Sequence, residues 1–289
     1  VGRALRGRKD WHTVVVASTV MPGSTNGVLR HALEFAARGV VGKDFGLVYS
    51  PEFVALGQVL RDLRSPDMIL VGSEEPKGAR IYEDYARTIA DDAPAAHLST
   101  LEAEIAKLSV NCFLTLKISF ANMIADYCES MGGDARAIAD AVGKDSRIGA
   151  RYMRPGGPFD GPCLPRDTVA FRAATAAVGL AAPLAEAADA VNARCVARVV
   201  EAVGKSGRVA VLGLTYKPGS PVTEESFGHA LLAEFARRGV RTVAHDPLVC
   251  PDPDAATVVR EADAVVVATP WPEYADLDLT GKNVVDFWG

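Results

Sequence analysis

The sequence has 289 residues, of which 49% are hydrophobic and 23% charged, with a net charge of −5. That is ordinary for a globular protein of about two domains, and no basic block points to a nucleic-acid partner. The five cysteines, Cys112, Cys128, Cys163, Cys195 and Cys250, are odd in number and contain no CxxC pair. They argue against a disulfide framework or a zinc site and suit a reducing compartment, so a cytoplasmic location is expected.

Arg3, Arg6, Arg8 and Lys9 before the apolar run Val14–Ala17 imitate a short secretion signal. The run is too short, and it ends in Ser18-Thr19 and Met21-Pro22-Gly23, so it reads as a buried strand and a turn. No segment approaches the roughly 18 apolar residues of a membrane helix, and no membrane partner is expected. The chain opens on Val1, straight into a helix end and a strand, so its true beginning is expected to lie upstream.

In chain order, 13–19 reads as a strand and 25–38 as an amphipathic helix ended by Arg38-Gly39. Phe45–Tyr49 and Met68–Gly72 read as further strands. A helix over 75–90 carries Ile81, Tyr85 and Ile89 at helical spacing. This is the alternation of a parallel α/β sheet. At 99 the texture changes. Ser99 and Glu102 form a capping box, and no Gly or Pro follows until Gly132-Gly133. The spacing predicts one helix of about 30 residues, apolar on more than one face, suited to a spine or a dimer interface; a plain bundle helix is the alternative. Shorter helices are expected at 134–142, 168–178 and 184–203. Alternation then returns, with strands at 208–212, 240–244, 264–269 and 284–286 and helices at 227–237 and 255–261. The expected fold is α/β: a partial N-terminal Rossmann-like segment, an all-helical middle with one long central helix, and a C-terminal Rossmann-like domain.

Several residues could carry chemistry. Lys107 and Asn111 share one face of the long helix, with Glu104 one turn earlier. Polar groups in an otherwise apolar helix are costly unless they face a cavity or partners. Arg147 stands in the loop Asp145–Gly149, and an arginine fork suits a phosphate. Tyr152, Gly156 and Gly157 form a bendable approach to Gly161-Pro162-Cys163-Leu164-Pro165-Arg166-Asp167. There Gly and Pro fix an irregular turn, Asp167 could open the next helix, and its dipole favours a thiolate. Taken alone, that heptad fits a structural cysteine in a tight turn equally well. Glu52 and Lys217 each follow an expected strand end, where open α/β sheets bind ligands. A GxGxxG dinucleotide fingerprint is absent, and Val211–Thr215 matches it poorly.

Together these segments resemble the UDP-glucose/GDP-mannose dehydrogenase family. Ser18–Gly23 resembles its STVPPG, Pro51-Glu52-Phe53 its NPEF, and Ala103–Lys107 through Asn111-Cys112-Phe113 its AExxKxxxNxF. Asp145–Gly149 resembles DxRIG, Gly161–Asp167 GGSCFPKD, Gly213–Pro218 GLTFKP and His245-Asp246-Pro247 YDP. The resemblance runs nearly end to end and implies three domains: a remnant of the NAD-binding domain (1–98), a helical dimerisation domain (99–204) and a nucleotide-sugar-binding domain (205–289). Roughly the first hundred residues of the family pattern would be missing, which explains the absent fingerprint.

The resemblance also implies a function: NAD-dependent four-electron oxidation of a UDP- or GDP-hexose to its uronic acid, in polysaccharide biosynthesis, by a homodimer built on the long helix. Cys163 would be the nucleophile, passing through a thiohemiacetal and a thioester. Lys107 and Asn111 would stabilise the oxyanion, and Glu52 and Asp167 would handle protons or water. Thr19 would lie near the nicotinamide and that water, and Arg166 near an NAD phosphate. Phe53, Arg147, Tyr152, Gly157 and Lys217 would contact the nucleotide-sugar. No metal is implied. Leu56 stands where the family has a second glutamate, Asp160 where it has a glycine, and Glu224 where it has an arginine. These departures leave open a catalytically impaired relative that binds a nucleotide-sugar or a partner protein. A two-electron hydroxyacid dehydrogenase would need no thiol, so Cys163 speaks against it.

Overall fold

A computed structural model describes residues 1–90, 92–204 and 207–288. It divides into two compact units, Val1–Val110 and Asn111 onward.

The first unit contains α1 (Gly2–Leu5), β1 (Thr13–Val16), a wide irregular turn (Thr25–Leu29), α2 (Arg30–Ala37), β2 (Gly46–Tyr49), α3 (Val59–Arg64), β3 (Ile69–Gly72), α4 (Pro76–Arg87) and β4 (Ala95–Leu98). The strands lie in the order β1-β2-β3-β4. β1 runs parallel to β2 and β3 to β4, but β2 and β3 are antiparallel and meet at Tyr49↔Gly72. The expected all-parallel sheet is therefore corrected at its centre. β2 and β3 are buried on both faces, as their unbroken apolar runs require. One face meets Ala79, Tyr82 and Ala86 of α4. The other meets Ala103, against which Gly72 packs so closely that a Cβ on the glycine would lie 2.6 Å from the alanine Cβ.

The stripe expected to bury α4 is also corrected. Ile81, Tyr85 and Ile89 are exposed, because the neighbouring stripe of Ala79, Tyr82 and Ala86 is the one that meets the sheet. β1 stops at Val16, which leaves Ser18 and Thr19 in the following loop. α3 and β4 were not expected; β4 reads Ala-Ala-His-Leu and lacks a β-branched run.

α5 spans Thr100–Met131. Its capping box is reciprocal: Ser99 N and Oγ donate to Glu102 Oε2 at 2.8 Å, and Glu102 N donates to Ser99 Oγ at 3.3 Å. By length and composition α5 could cross a membrane, with a mean hydropathy of 1.4 over 18 residues. That corrects the expectation that nothing approaches such a helix. Charged residues interrupt the apolar run in the sequence, yet its average stays high.

The second unit continues with α6 (Ala135–Gly143), α7 (Leu164–Ala177) and α8 (Pro183–Val203). β5 (Arg208–Leu212), α9 (Phe227–Arg237), β6 (Arg241–His245), α10 (Ala255–Arg260), β7 (Ala264–Val267) and β8 (Asn283–Asp286) follow. The expected boundary at 204/205 falls against Lys205 and Ser206, which, like Asp91 and Gly289, lie outside the described residues. The sheet runs β6-β5-β7-β8, all parallel. β5 alternates cleanly. Val209 and Val211 pack on Leu231 and Phe235 of α9 and Val199 of α8, while Ala210 and Leu212 pack on Val258 and Trp271. The chain leaves β5 for β6 on one side and returns to β7 on the other, so the carboxyl end of β5 is a topological switch point.

Candidate active site

α5 carries a line of buried polar side chains along one face: Glu104, Lys107, Asn111, Thr115, Ser119 and Asn122. The spacings of three and four keep them on one stripe. Burying them is tolerable because each has a partner. Thr115 Oγ1 donates to Cys112 O at 2.8 Å and Ser119 Oγ to Ala188 O at 3.3 Å.

In the first unit, Glu104 accepts from Gly23 N at 2.5 Å and Thr25 N at 2.7 Å. It thereby fixes the turn that follows Thr19. Lys107 Nζ donates to Glu52 O at 3.0 Å and stands 4.3 Å over the Phe53 ring. Lys107, Glu52 and Phe53 are thus brought together, with the Glu52 residue exposed. Thr19 is half-buried in the loop after β1.

In the second unit, Asn111 Nδ2 donates to Asp167 Oδ2 at 2.6 Å. The other oxygen of this buried carboxylate accepts from Arg166 Nε and Nη2, both at 2.9 Å. Desolvation works against the Arg166 charge, but the Asp167 carboxylate holds its pKa above the ordinary value. α7 begins earlier than expected, since Cys163 itself is the N-cap and Pro165 occupies the first turn, where no N–H is needed. Asp167 lies in that turn and does not open the helix. Cys163 is exposed, whereas Cys112, Cys128 and Cys195 are buried.

The segment leading to Cys163 is clamped by two amides. Asn122 Oδ1 accepts from Gly156 N and its Nδ2 donates to Gly157 O, both at 3.0 Å. Asn192 accepts from Phe159 N at 2.7 Å and donates to Phe159 O at 2.8 Å. A cleft of about 370 Å³ opens beside this segment, lined by Tyr152, Arg154, Gly157, Arg136, Asp140 and Trp288 among others. The Trp288 ring lies against the glycines; a Cβ on Gly157 would come within 2.7 Å of it.

At the switch point, Asp246 organises the loop after β5. It accepts from Leu214 N at 2.8 Å, from Thr215 N and Oγ1 at 2.9 Å and from Trp271 Nε1 at 3.2 Å. Its other oxygen takes Leu248 N at 2.9 Å. Burial alone would raise this carboxyl, but the N–H groups of Thr215 and Leu214 hold it below the ordinary carboxylate value. The pinned loop carries Lys217, whose Nζ stands 5.3 Å over the Tyr216 ring.

Three family models match in chain order. They are the NAD binding domain (residues 1–89), the central domain (101–194) and the UDP binding domain (210–288) of the UDP-glucose/GDP-mannose dehydrogenase family. The chain belongs to that family. Its relatives are NAD-dependent nucleotide-sugar dehydrogenases. UDP-glucose 6-dehydrogenase AglM of Haloferax volcanii is 34% identical over 96% of this chain and 69% of its own. GDP-mannose 6-dehydrogenase of Azotobacter vinelandii is 30% identical over 100% and 72%. The solved UDP-glucose dehydrogenase of Pyrobaculum islandicum is 35% identical, with a TM-score of 0.91 over 99% of this chain and 69% of that one. The chain therefore spans about two thirds of the length of these relatives.

The family's cofactor is NAD, and the residues present fit part of it. Arg166 keeps 56% of its side chain exposed while bound to Asp167, and Thr19 offers a hydroxyl; both donor types suit a dinucleotide. The glycine-rich pyrophosphate cradle has no counterpart, since no GxGxxG occurs in the 289 residues. Arg147 is engaged within its own loop. Its guanidinium is 87% exposed and bidentate on Asp145, at 3.0 and 2.7 Å, in a turn whose Ile148 carbonyl Lys117 holds at 3.0 Å. The sequence reading missed Asn122, Asn192, Trp288 and the role of Asp246. Asn122 was findable, because the polar spacing that marked Lys107 and Asn111 continues through Thr115 and Ser119 to it.

Proposed function

We propose that this protein oxidises a nucleotide-sugar, UDP- or GDP-linked, at its primary alcohol to the uronic acid, in two successive two-electron steps. The observation that carries this reading is the exposed Cys163 at the N-cap of α7, backed in the same first turn by the buried Asp167 that Asn111 holds. A thiol at a helix amino terminus is placed for nucleophilic attack. The Cys163 thiolate would add to the aldehyde carbon, and the resulting oxyanion would take hydrogen bonds from Lys107 and Asn111. NAD, when bound, supplies the hydride acceptor for both oxidations. Water would open the thioester, returning the thiol and releasing the carboxylate, with Glu52 and Asp167 accepting or relaying the proton. Thr19 and Arg166 would face NAD, while Phe53, Arg147, Tyr152, Gly157 and Lys217 would contact the nucleotide-sugar.

The same reading divides the chain into NAD-binding (1–98), central (99–204) and nucleotide-sugar-binding (205–289) domains, in a cytoplasmic enzyme without nucleic-acid or membrane partners. It makes the protein a homodimer. Supporting this, Phe113, Phe120 and Tyr127 remain exposed at heptad spacing on α5.

The test is stoichiometry. The full-length polypeptide, given NAD and UDP-glucose or GDP-mannose, should form about two NADH per sugar acid, and Cys163→Ser should abolish acid formation. Acid formation surviving in C163S would overturn the mechanism, and NAD reduction with neither sugar would overturn the activity. One feature favours the impaired-relative reading: the Glu224 carboxylate acts electrostatically on Arg166, the cation meant for phosphate. Under that reading a nucleotide-sugar binds and no NADH forms.

A further inference from the structure

Asp160 stands three residues before Cys163 and is not needed for any step above. Its Oδ2 accepts from Phe227 N at 3.1 Å. Phe227 is the first residue of α9, after the N-cap Ser226. A first-turn N–H has no partner inside its own helix. The Ser226 hydroxyl is directed to Leu214 O and His229, and Asp160 accepts from the Phe227 N–H. A second bond lies beside it: Gly161 N donates to Glu225 O at 3.2 Å. Both residues of this bond are left-handed, Gly161 at φ +78 and Glu225 at φ +52. For a glutamate that conformation costs on the order of 1 kcal/mol and persists only where neighbours impose it. The Tyr216 ring closes the other side, so near that a Cβ on Gly161 would lie 2.5 Å from it.

We propose that Asp160 is a positioning residue, the latch that holds the turn bearing Cys163 onto the amino terminus of α9. It acts through the backbone, by fixing Gly161 and with it the approach to the thiol. An ionised carboxylate would complement the helix amino terminus, but here burial works against that charge. Burial pushes the Asp160 carboxyl up to about 7, against the Phe227 N–H that favours the charged form. Tyr216 faces it, and burial raises that hydroxyl to about 12 with help from the charges of Cys163 and Asp160; Arg166, on which Asp167 and Glu224 act, interacts with Cys163. The latched carboxyl is raised above the value of about 4 that an opened, solvated one would have, so the latched form keeps its proton longer; the latch is firmest in acid, loosens as pH rises to about 7 and levels off above it.

The significance of the latch rests on the proposed role of Cys163, but its test does not. Amide hydrogen exchange at Phe227, corrected for intrinsic rate, is read from pH 6 to 8 in the whole protein. Wild type should lose several-fold protection over that range, most of it below about pH 7. Asp160→Asn keeps an acceptor and cannot ionise, so its protection should be flat with pH. Asp160→Ala should lose the protection throughout. Iodoacetamide labelling of Cys163, divided at the peptide level by that of Cys250 in the same sample, should rise more steeply with pH in wild type than in D160N. A wild-type profile flat with pH, or a D160A Phe227 amide as protected as wild type, overturns the inference. If the latch behaves as expected while the full-length polypeptide forms no sugar acid, the functional reading fails and the latch stands.

Discussion

The carboxylate of Asp246 is the most heavily committed in the C-terminal sheet domain, so Asp246→Asn should be disproportionately costly. Its two oxygens receive four backbone N–H groups, the Thr215 hydroxyl and the Trp271 indole, and the residue is fully buried. Asparagine keeps one acceptor oxygen and turns an NH₂ toward the remaining donors. If the amide nitrogen faces Leu248 and Val249, two N–H groups lose a charged acceptor. Hydrogen bonds to charged groups are worth about 1.5–3 kcal/mol each, and relief of the carboxylate's desolvation offsets part of the loss. A net destabilisation of about 3 kcal/mol follows. Because the folded carboxyl is held below its ordinary value, its contribution is present above the unfolded pKa of about 4 and is lost as pH falls through the folded value. The gap between wild type and D246N, measured by urea denaturation, should therefore be full at pH 7 and shrink steadily below about pH 4. A difference under about 0.5 kcal/mol at pH 7, or one that does not narrow in acid, would refute the reasoning.

Lys107→Ala removes the ammonium held over Phe53 at the Glu52 carbonyl; turnover of the full-length polypeptide should fall by about 10²–10³ with circular dichroism unchanged, and an undiminished kcat would remove Lys107 from the chemistry. Asn122→Ala leaves Gly156 N–H and Gly157 C=O without their clamp and should cost about 2–3 kcal/mol in denaturant titrations. Placing glutamate at both Phe113 and Phe120 puts charge on the exposed α5 stripe; sedimentation velocity should show a monomer where wild type sediments as a dimer, and identical profiles would locate the interface elsewhere.

What the sequence disclosed and what it hid have different physical causes. The C-terminal sheet was legible nearly strand by strand, because its parallel strands are short apolar runs separated by helical or turn segments, α9 being followed by Gly239, and each signal is local. α5 was equally plain, since a reciprocal capping box opens it and no breaker interrupts it for 32 residues. α4 shows the limit. Ile81, Tyr85 and Ile89 have the right period but the wrong face, and only the sheet decides that Ala79 and Ala86 pack inward. The start of α7 differs for a related reason: the Gly and Pro around Cys163 mark an irregular turn, whereas a proline within the first helical turn costs nothing. The site residues that announced themselves, Lys107 and Asn111, did so by being polar where burial was expected. Asn192 gave no such signal, because its role depends on Phe159 reaching it from 33 residues away. Asp160 lies between these cases. Its type is conspicuous in a turn of Gly, Pro and Phe, but its partner is the amide of Phe227, a group that every residue but proline carries. The identity of such a side chain can be read from sequence; its purpose becomes readable only when the fold brings the amino terminus of α9 to it.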